Sequence, residues 1–359
     1  TTGRSTKTNF AVIDATGAAA IFETGGNVYY KFDASEAPAG YIVRSNFSIN
    51  GGGDNGIERY IRSSNLMESF YSGDSLNYKS ILGYQMRDFS DWDSEPIVIP
   101  YPHVWSTSIP MGYFPTNVSI CRNTSVSTAV IQGILPDEPP ELSTRWAMLG
   151  NPAAAITVPY WPVIDPPSLV TGGVTAPLCD ISNDIREFLF DLSSYPTFIN
   201  TYMLLDGGGD GLWTHTFPVE DQILEDAEGL LNDWRILDSI PFNEMMDTEN
   251  TLAEMAYNAL ENYLNQTAVN PSLANASGVQ IYPNPVSDYV NIDFDFGKGR
   301  SVTGQLYDAS GKWIRELFPY QKMDDPVVKS FDFSDLKPGA YFIVIACDHA
   351  IQTKNVIKY

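Results

Sequence analysis

Histidine, cysteine and positive charge are all scarce in this sequence. Three histidines, His103, His215 and His349, are spread over 359 residues, and none lies near a G-x-S-x-G segment. That pattern does not support a hydrolase built on a Ser-His-Asp triad. Three cysteines, Cys121, Cys179 and Cys347, show neither metal-ligand nor redox spacing. A count so low and odd argues against a disulfide-stapled scaffold. Lysine and arginine total 21 against 44 aspartates and glutamates, a formal net charge of −23. A surface this acidic is repelled by a phosphate backbone, so nucleic acid is not expected as a partner. No apolar run reaches the ~18 residues of a membrane span, so no transmembrane segment is expected. The chain opens Thr-Thr-Gly-Arg, with neither an initiator methionine nor the pattern of a signal peptide.

What is present is ordinary globular material: 43% hydrophobic and 18% charged residues, enough for a sizeable core. At ~150 residues per domain the length suggests two or three domains. The organising stretch runs from Asn9 to Phe47. Four short apolar runs, Phe10–Ile13, Ala18–Phe22, Val28–Phe32 and Tyr41–Val43, are separated by turn residues such as Asp14, Gly17, Gly25, Asn27, Pro38 and Gly40. Such runs predict an antiparallel meander. The first two are apolar at odd and even positions alike, which predicts a sheet covered on both faces. If the fourth run continues as a strand, Arg44 and Asn46 share a face. They lead into the glycine loop Asn50–Gly53 and a helix start at Gly56-Ile57-Glu58-Arg59-Tyr60-Ile61-Arg62. A strand end with polar side chains beside a glycine loop is a common place for a site.

Farther along, Arg59–Tyr71 and Ser75–Phe89 read as helices, the second with Asp74 as its N-cap. The proline-rich stretch from Ser90 to Thr116 reads as a long loop with edge strands. Strands are predicted at Val118–Cys121, Ser125–Ile131, Trp146–Leu149 and Ala155–Tyr160. Three amphipathic stripes then follow at helical spacing: Ile181 to Leu192, Ile223 to Trp234, and Leu252 to Tyr263. Between the first two lies Asp206-Gly-Gly-Gly-Asp210-Gly211. An EF-hand loop needs an oxygen ligand at its third position and glutamate at its twelfth, where Gly208 and Phe217 stand here. The stretch reads as a turn, and no metal or cofactor is expected.

Helical patterning stops by Asn270-Pro271, and the small polar residues 269–278 read as a linker. Beyond it six or seven short strands in about 80 residues suggest a small all-β, Ig-like sandwich. This part resembles the C-terminal sorting domain of the type IX secretion system. The resemblance rests on Ile281-Tyr282-Pro283-Asn284-Pro285-Val286-Ser287-Asp288, Leu306-Tyr307-Asp308-Ala309-Ser310-Gly311, Leu336-Lys337-Pro338-Gly339-Ala340-Tyr341 and Lys354-Asn355-Val356-Ile357-Lys358. It implies export to the cell surface or the medium, with the secretion machinery as partner of residues 279–359.

The order NFAVID-x-x-GAAAIFE, GYIVRSNFS and GIERYIR, followed by VSTAVIQGILPDEPPELSTRWAMLGNP and ITVPYWPV, resembles a second family. These are the N-terminal-nucleophile (Ntn) hydrolases of the acyl-CoA:6-aminopenicillanate acyltransferase type, which act on linear non-peptide amides. The likeness is good over residues 9–165 and loose over 166–268. It implies an α+β fold for residues 1–268, the later part of an αββα sandwich, and a small amide as substrate. It also implies a cysteine nucleophile whose own α-amine is the base, which removes the need for a histidine. In that family the cysteine stands well upstream of the NFAVID-like strand, so a segment ahead of Thr1 is expected, and Thr1 itself is not the nucleophile. Asn46 resembles the asparagine that helps bind the oxyanion, and Arg59 the arginine near the nucleophile. Asn9 and Arg44 are candidate substrate-binding residues. The family more often has threonine where Ser45 stands and histidine where Phe47 stands. Two other functions fit the same pattern: a dipeptidase-type Ntn hydrolase, and a non-catalytic surface binder that kept the fold.

Overall fold

A computed structural model describes residues 8–25, 27–46, 49–50, 56–103, 105–106, 109, 111–171, 175–190, 195–206, 209–269, 279–294, 300–309, 311–323, 327–347 and 350–359. Thr1, Phe47, Gly51–Gly53 and residues 270–278 of the expected linker lie outside them. The chain forms two compact units. One comprises Thr1–Ile97, Thr116–Arg186 and Thr216–Leu260; the other comprises Val98–Pro115, Glu187–His215 and Glu261–Tyr359.

The first unit opens with the expected meander: β1 (Thr8–Ile13), β2 (Ala19–Thr24) and β3 (Tyr29–Asp33), antiparallel in that order. Its first turn closes because the Asp14 carboxylate accepts the Thr16 N–H at 2.8 Å and Gly17 takes a φ of 81°. Two expectations change here. The sheet is not covered on both faces. Phe10, Val12 and Tyr29 are 42%, 49% and 67% exposed, and Phe22 beside them faces the same open groove. The fourth run, Tyr41–Val43, joins no ladder, and Tyr41 lies in a bend. Helix α1 (Ile57–Ser72) draws it away instead: the Tyr41 hydroxyl donates to Glu68 at 2.7 Å, and its ring meets Tyr71 edge-on at 5.7 Å.

The second expected helix is shorter than its apolar spacing suggests. It starts at α2 (Tyr78–Ser80), continues as a π-turn through Ile81–Gln85, and is capped by Asn77. Asn77 accepts the Ser80 N–H while Ser80 accepts the Asn77 N–H, a reciprocal capping box. Asp74, the expected cap, sits at a φ of 51° in the turn that ends α1. The proline-rich stretch carries β4 (Tyr113–Pro115), which belongs to the second unit. Residues 118–121 form no strand. They are tied down by Cys121 N–H donating to the Asp88 carbonyl and Ser119 Oγ donating to the Phe89 carbonyl.

A second antiparallel sheet follows: β5 (Ser127–Gln132), β6 (Thr144–Leu149) and β7 (Thr157–Tyr160). The amphipathic stripes become α3 (Pro177–Phe190), then, after β8 (Phe198–Asn200), α4 (Leu212–Trp234) and α5 (Phe242–Val269). Ile185, Ile223, Ala227, Leu231, Ala256 and Leu260 are each 2% exposed or less. Phe188, counted in the first stripe, is 52% exposed. Burying a large aliphatic side chain contributes ~1.5–3 kcal/mol, so these stripes hold the helices down. An ion pair is sealed in with them: Arg87 Nη2 lies 2.6 Å from Glu220, both side chains 5% exposed.

In the second unit β4 pairs with β8. The remaining strands are β9 (Gln280–Tyr282), β10 (Tyr289–Phe294), β11 (Arg300–Asp308), β12 (Trp313–Met323), β13 (Val327–Asp332), β14 (Gly339–Cys347) and β15 (Ala350–Lys358). They form two sheets, β13-β10-β9 and β12-β11-β14-β15. Val290, Ile292, Leu306, Phe333, Ile343 and Val356 are fully buried in one cluster between them. The protein is thus mixed α+β with an all-β C-terminal region.

Candidate functional site

The site grows from one buried acid. Glu23 is the next-to-last residue of β2, stands opposite Asn9 of β1, and is 1% exposed. A carboxylate taken out of water needs a close cation. Arg44 supplies it, with Nε 2.6 Å from Glu23 Oε1. The same guanidinium donates to the Val43 carbonyl at 2.7 Å and lies 4.4 Å from the centre of the Phe32 ring. The other Glu23 oxygen accepts the Asn50 N–H at 3.2 Å. Strand β2, the segment 43–46 and the start of the glycine loop are therefore tied to one side chain.

Asn9 fixes the next residue along. Its Nδ2 donates to the Ser45 carbonyl at 2.8 Å, and Ser45 Oγ donates to the Gly56 carbonyl at 2.6 Å. Gly56 stands at the start of α1 with a φ of 84°. The positive φ calls for glycine, and a Cβ there would lie 2.3 Å from Arg59 Nη2 and 2.9 Å from Ser45 Oγ, so a side chain would also push the guanidinium from its place. Arg59, in the first turn of α1, then reaches Asn46: Nη2 donates to Oδ1 at 2.9 Å. Burial, and after it the positive charge of Arg122, hold Arg59 below the usual arginine value. It stays a cation at neutral pH, because that usual value is above 12.

The structure brings all four expected residues together. Asn9 and Arg44 hold the segment 43–46, and Asn46 and Arg59 meet at its end. With its oxygen engaged by Arg59, the Asn46 amide has Nδ2 left as a donor. Arg44 also lines an open cleft of about 430 Å³, with Phe32, Ile42, Tyr60 and Ser64 among its other walls. That is the size of a small-molecule site. Glu23 was not singled out by sequence reasoning. The available signal was an acid closing a continuous apolar run, the one acid between Asp14 and Asp33.

The cysteines behave differently from one another. Cys121 is fully buried, its thiol pushed up to about 12 by desolvation, and its Sγ lies 3.5 Å from Asn151 Oδ1. Such a thiol is not a nucleophile at neutral pH. Cys179 is half-buried. His103 packs edge-on against Tyr101 at 5.5 Å. Asp206, 0% exposed, accepts the N–H groups of Gly209 and Asp210 at 2.9 and 3.2 Å, a turn closed by a side chain. Gly207 and Gly208 are outside the described residues. Among the described residues no group of three or more His, Cys, Asp or Glu is arranged to hold a metal ion.

Residues 280–359 match the family of the secretion system C-terminal sorting domain. No curated protein matches the chain. Among solved structures, it is similar to dimeric latent PorU from Porphyromonas gingivalis, at 19% identity and a TM-score of 0.19. That likeness covers 23% of this chain and only 9% of the other. The sorting domain indicates export by the type IX system to the cell surface or the medium. Among the described residues no helix is long and apolar enough to cross a membrane.

Proposed function

We propose that residues 1–268 are the later part of an Ntn-type amidase or acyltransferase acting on linear, non-peptide amides, joined by residues 269–278 to a sorting domain at 279–359. The observation that carries this reading is the Asn46–Arg59 contact, held in place by Glu23, Arg44, Asn9 and Gly56. A side-chain amide whose oxygen is held by a cation, leaving its NH2 group to donate, is an arrangement that can stabilise a developing oxyanion. The nearby Arg59 charge also favours a thiolate over a thiol.

The nucleophile in this reading is a cysteine on a segment that packs beside the meander. Two features support a place for it. The groove bordered by Phe10, Val12, Phe22 and Tyr29 is open and apolar. Toward β5, a second apolar cleft of about 310 Å³ is lined by Ala11, Ile13, Ala20, Ile42, Ala129 and Ile131. An αββα sandwich covers both of these faces. The cysteine's own α-amine takes the thiol proton, the thiolate attacks the amide carbonyl, the tetrahedral oxyanion rests on Asn46 Nδ2, and the C–N bond breaks as the α-ammonium gives that proton to the leaving amine. Water, or a second amine, then takes the acyl group from the thioester.

The test is mass spectrometry of the protein recovered after export and mixed with a chromogenic acyl anilide. The expected result is a burst of the free aniline and an acyl adduct on one cysteine other than Cys121. Amine release without an adduct, or an adduct on Cys121, overturns the reading.

A further inference from the structure

Two motifs separated by some seventy residues meet in the sorting domain. Strand β15 pairs with β14 along one edge, from Ala350 to Lys358. Near its end the segment 284–286 lies along the other edge. Asn284 Nδ2 donates to the Asn355 carbonyl, and Asn284 Oδ1 accepts the Ile357 N–H, each at 2.9 Å. One residue later the backbone takes over. Val286 N–H donates to the Ile357 carbonyl at 2.7 Å, and Tyr359 N–H donates to the Val286 carbonyl at 3.1 Å. Val286 and Lys358 form a parallel bridge.

The side chain of Asn284 thus does the work of a neighbouring strand. Pro283 and Pro285 on either side have no N–H to donate, and the amide side chain supplies both a donor and an acceptor. Asn284 is itself exposed, so it contributes little packing; the packing comes from Val286 and Val356, both fully buried. What the clip fixes is a face. Asn355, Ile357 and Tyr359 alternate outward, with Ile357 39% and Tyr359 72% exposed. Without the clip, the end of β15 is an edge strand with open N–H and C=O groups, free to fray or to pair elsewhere.

We propose that Asn284 is a positioning residue for export: it clips the last strand into the sandwich, and the secretion machinery engages the outward face that the clip holds in register. That face carries the exposed Ile357 and Tyr359 side chains beside the Asn355 amide. The inference rests on the sorting domain alone and stands or falls apart from the amidase reading.

The test uses the full chain in a bacterium with a type IX system and compares three variants. Asn284→Ala removes both side-chain bonds. It is expected to speed amide exchange at Ile357 about tenfold, the net value of roughly one hydrogen bond, with Val290 and Ile343 amides unchanged. The exported fraction falls with it. Asn284→Asp keeps the acceptor for Ile357 N–H, loses the donor to Asn355, and is expected to be exported at an intermediate level. Val290→Ala weakens the core while leaving the clip intact. It should melt below Asn284→Ala and still be exported as the parent is. Unchanged exchange at Ile357 in Asn284→Ala overturns the proposal. So does parent-level export of that variant, or export that follows melting temperature across the three.

Discussion

Glu249 of α5 is the buried acid whose behaviour the structure specifies most sharply. It is 1% exposed. One carboxylate oxygen accepts the Trp161 N–H, and the other is buried without a partner. Burial pushes its carboxyl up to about 7, and only the Trp161 N–H works against that shift. The Tyr160 hydroxyl nearby is itself raised by burial and stays neutral, with Arg145 pulling it the other way. Between the ordinary glutamate value and about 7, the folded protein therefore holds a proton that the unfolded chain has released. Stability must fall as pH rises through that window and level off above it. A shift of this size corresponds to ~3 kcal/mol at most. Glu249→Gln keeps the shape and removes the ionisation. Relative to the parent, it should gain ~3 kcal/mol between pH 4.5 and pH 8, or roughly 6–12 °C in melting temperature for a unit of this size. Parallel melts of the two proteins across that range check it. A difference that stays flat with pH would refute the argument and show that Glu249 ionises in the fold as it does in water.

Two further predictions concern the site and the cysteines. Glu23→Ala leaves the half-buried Arg44 guanidinium without its carboxylate and should cost ~1.5–3 kcal/mol, with exchange of the β2 and 43–46 amides accelerating first; exchange confined to other segments would contradict the role given to Glu23. An alkylating thiol reagent at pH 7.5 should label Cys179 and leave Cys121 untouched until the protein unfolds; peptide mapping reads this, and equal labelling of the two would show Cys121 to be accessible.

How much of this was legible beforehand depends on what each signal measures. Helical periodicity reports a face that must be buried, and it located α3, α4 and α5 well. Alternation and turn residues located the strands of the C-terminal sandwich for the same reason. Periodicity says nothing about what lies against a face, so the apolar runs of β1 and β2 suggested a covered sheet where Phe10 and Val12 are open. It also cannot weigh rival partners: Tyr41–Val43 has strand-like residues, yet Glu68 and Tyr71 of α1 hold Tyr41. Asp74 and Asn77 are equally good caps by composition. The left-handed backbone at Asp74 and the reciprocal bonds with Ser80 decide for Asn77. Within the site, family resemblance named Asn46 and Arg59, but the ties that make them neighbours run through Glu23 and the Ser45–Gly56 bond. Those are contacts between distant residues that no local pattern encodes.

The most direct measurement is turnover of an acyl anilide by the exported protein against its Asn46→Ala variant, with folding of both checked by melting. Loss of one oxyanion donor predicts a kcat lower by about 10²–10³-fold, ~3 kcal/mol, at little change in melting temperature. Equal turnover by the two proteins, or none by either, would contradict the assignment of this cluster as an amide-cleaving site.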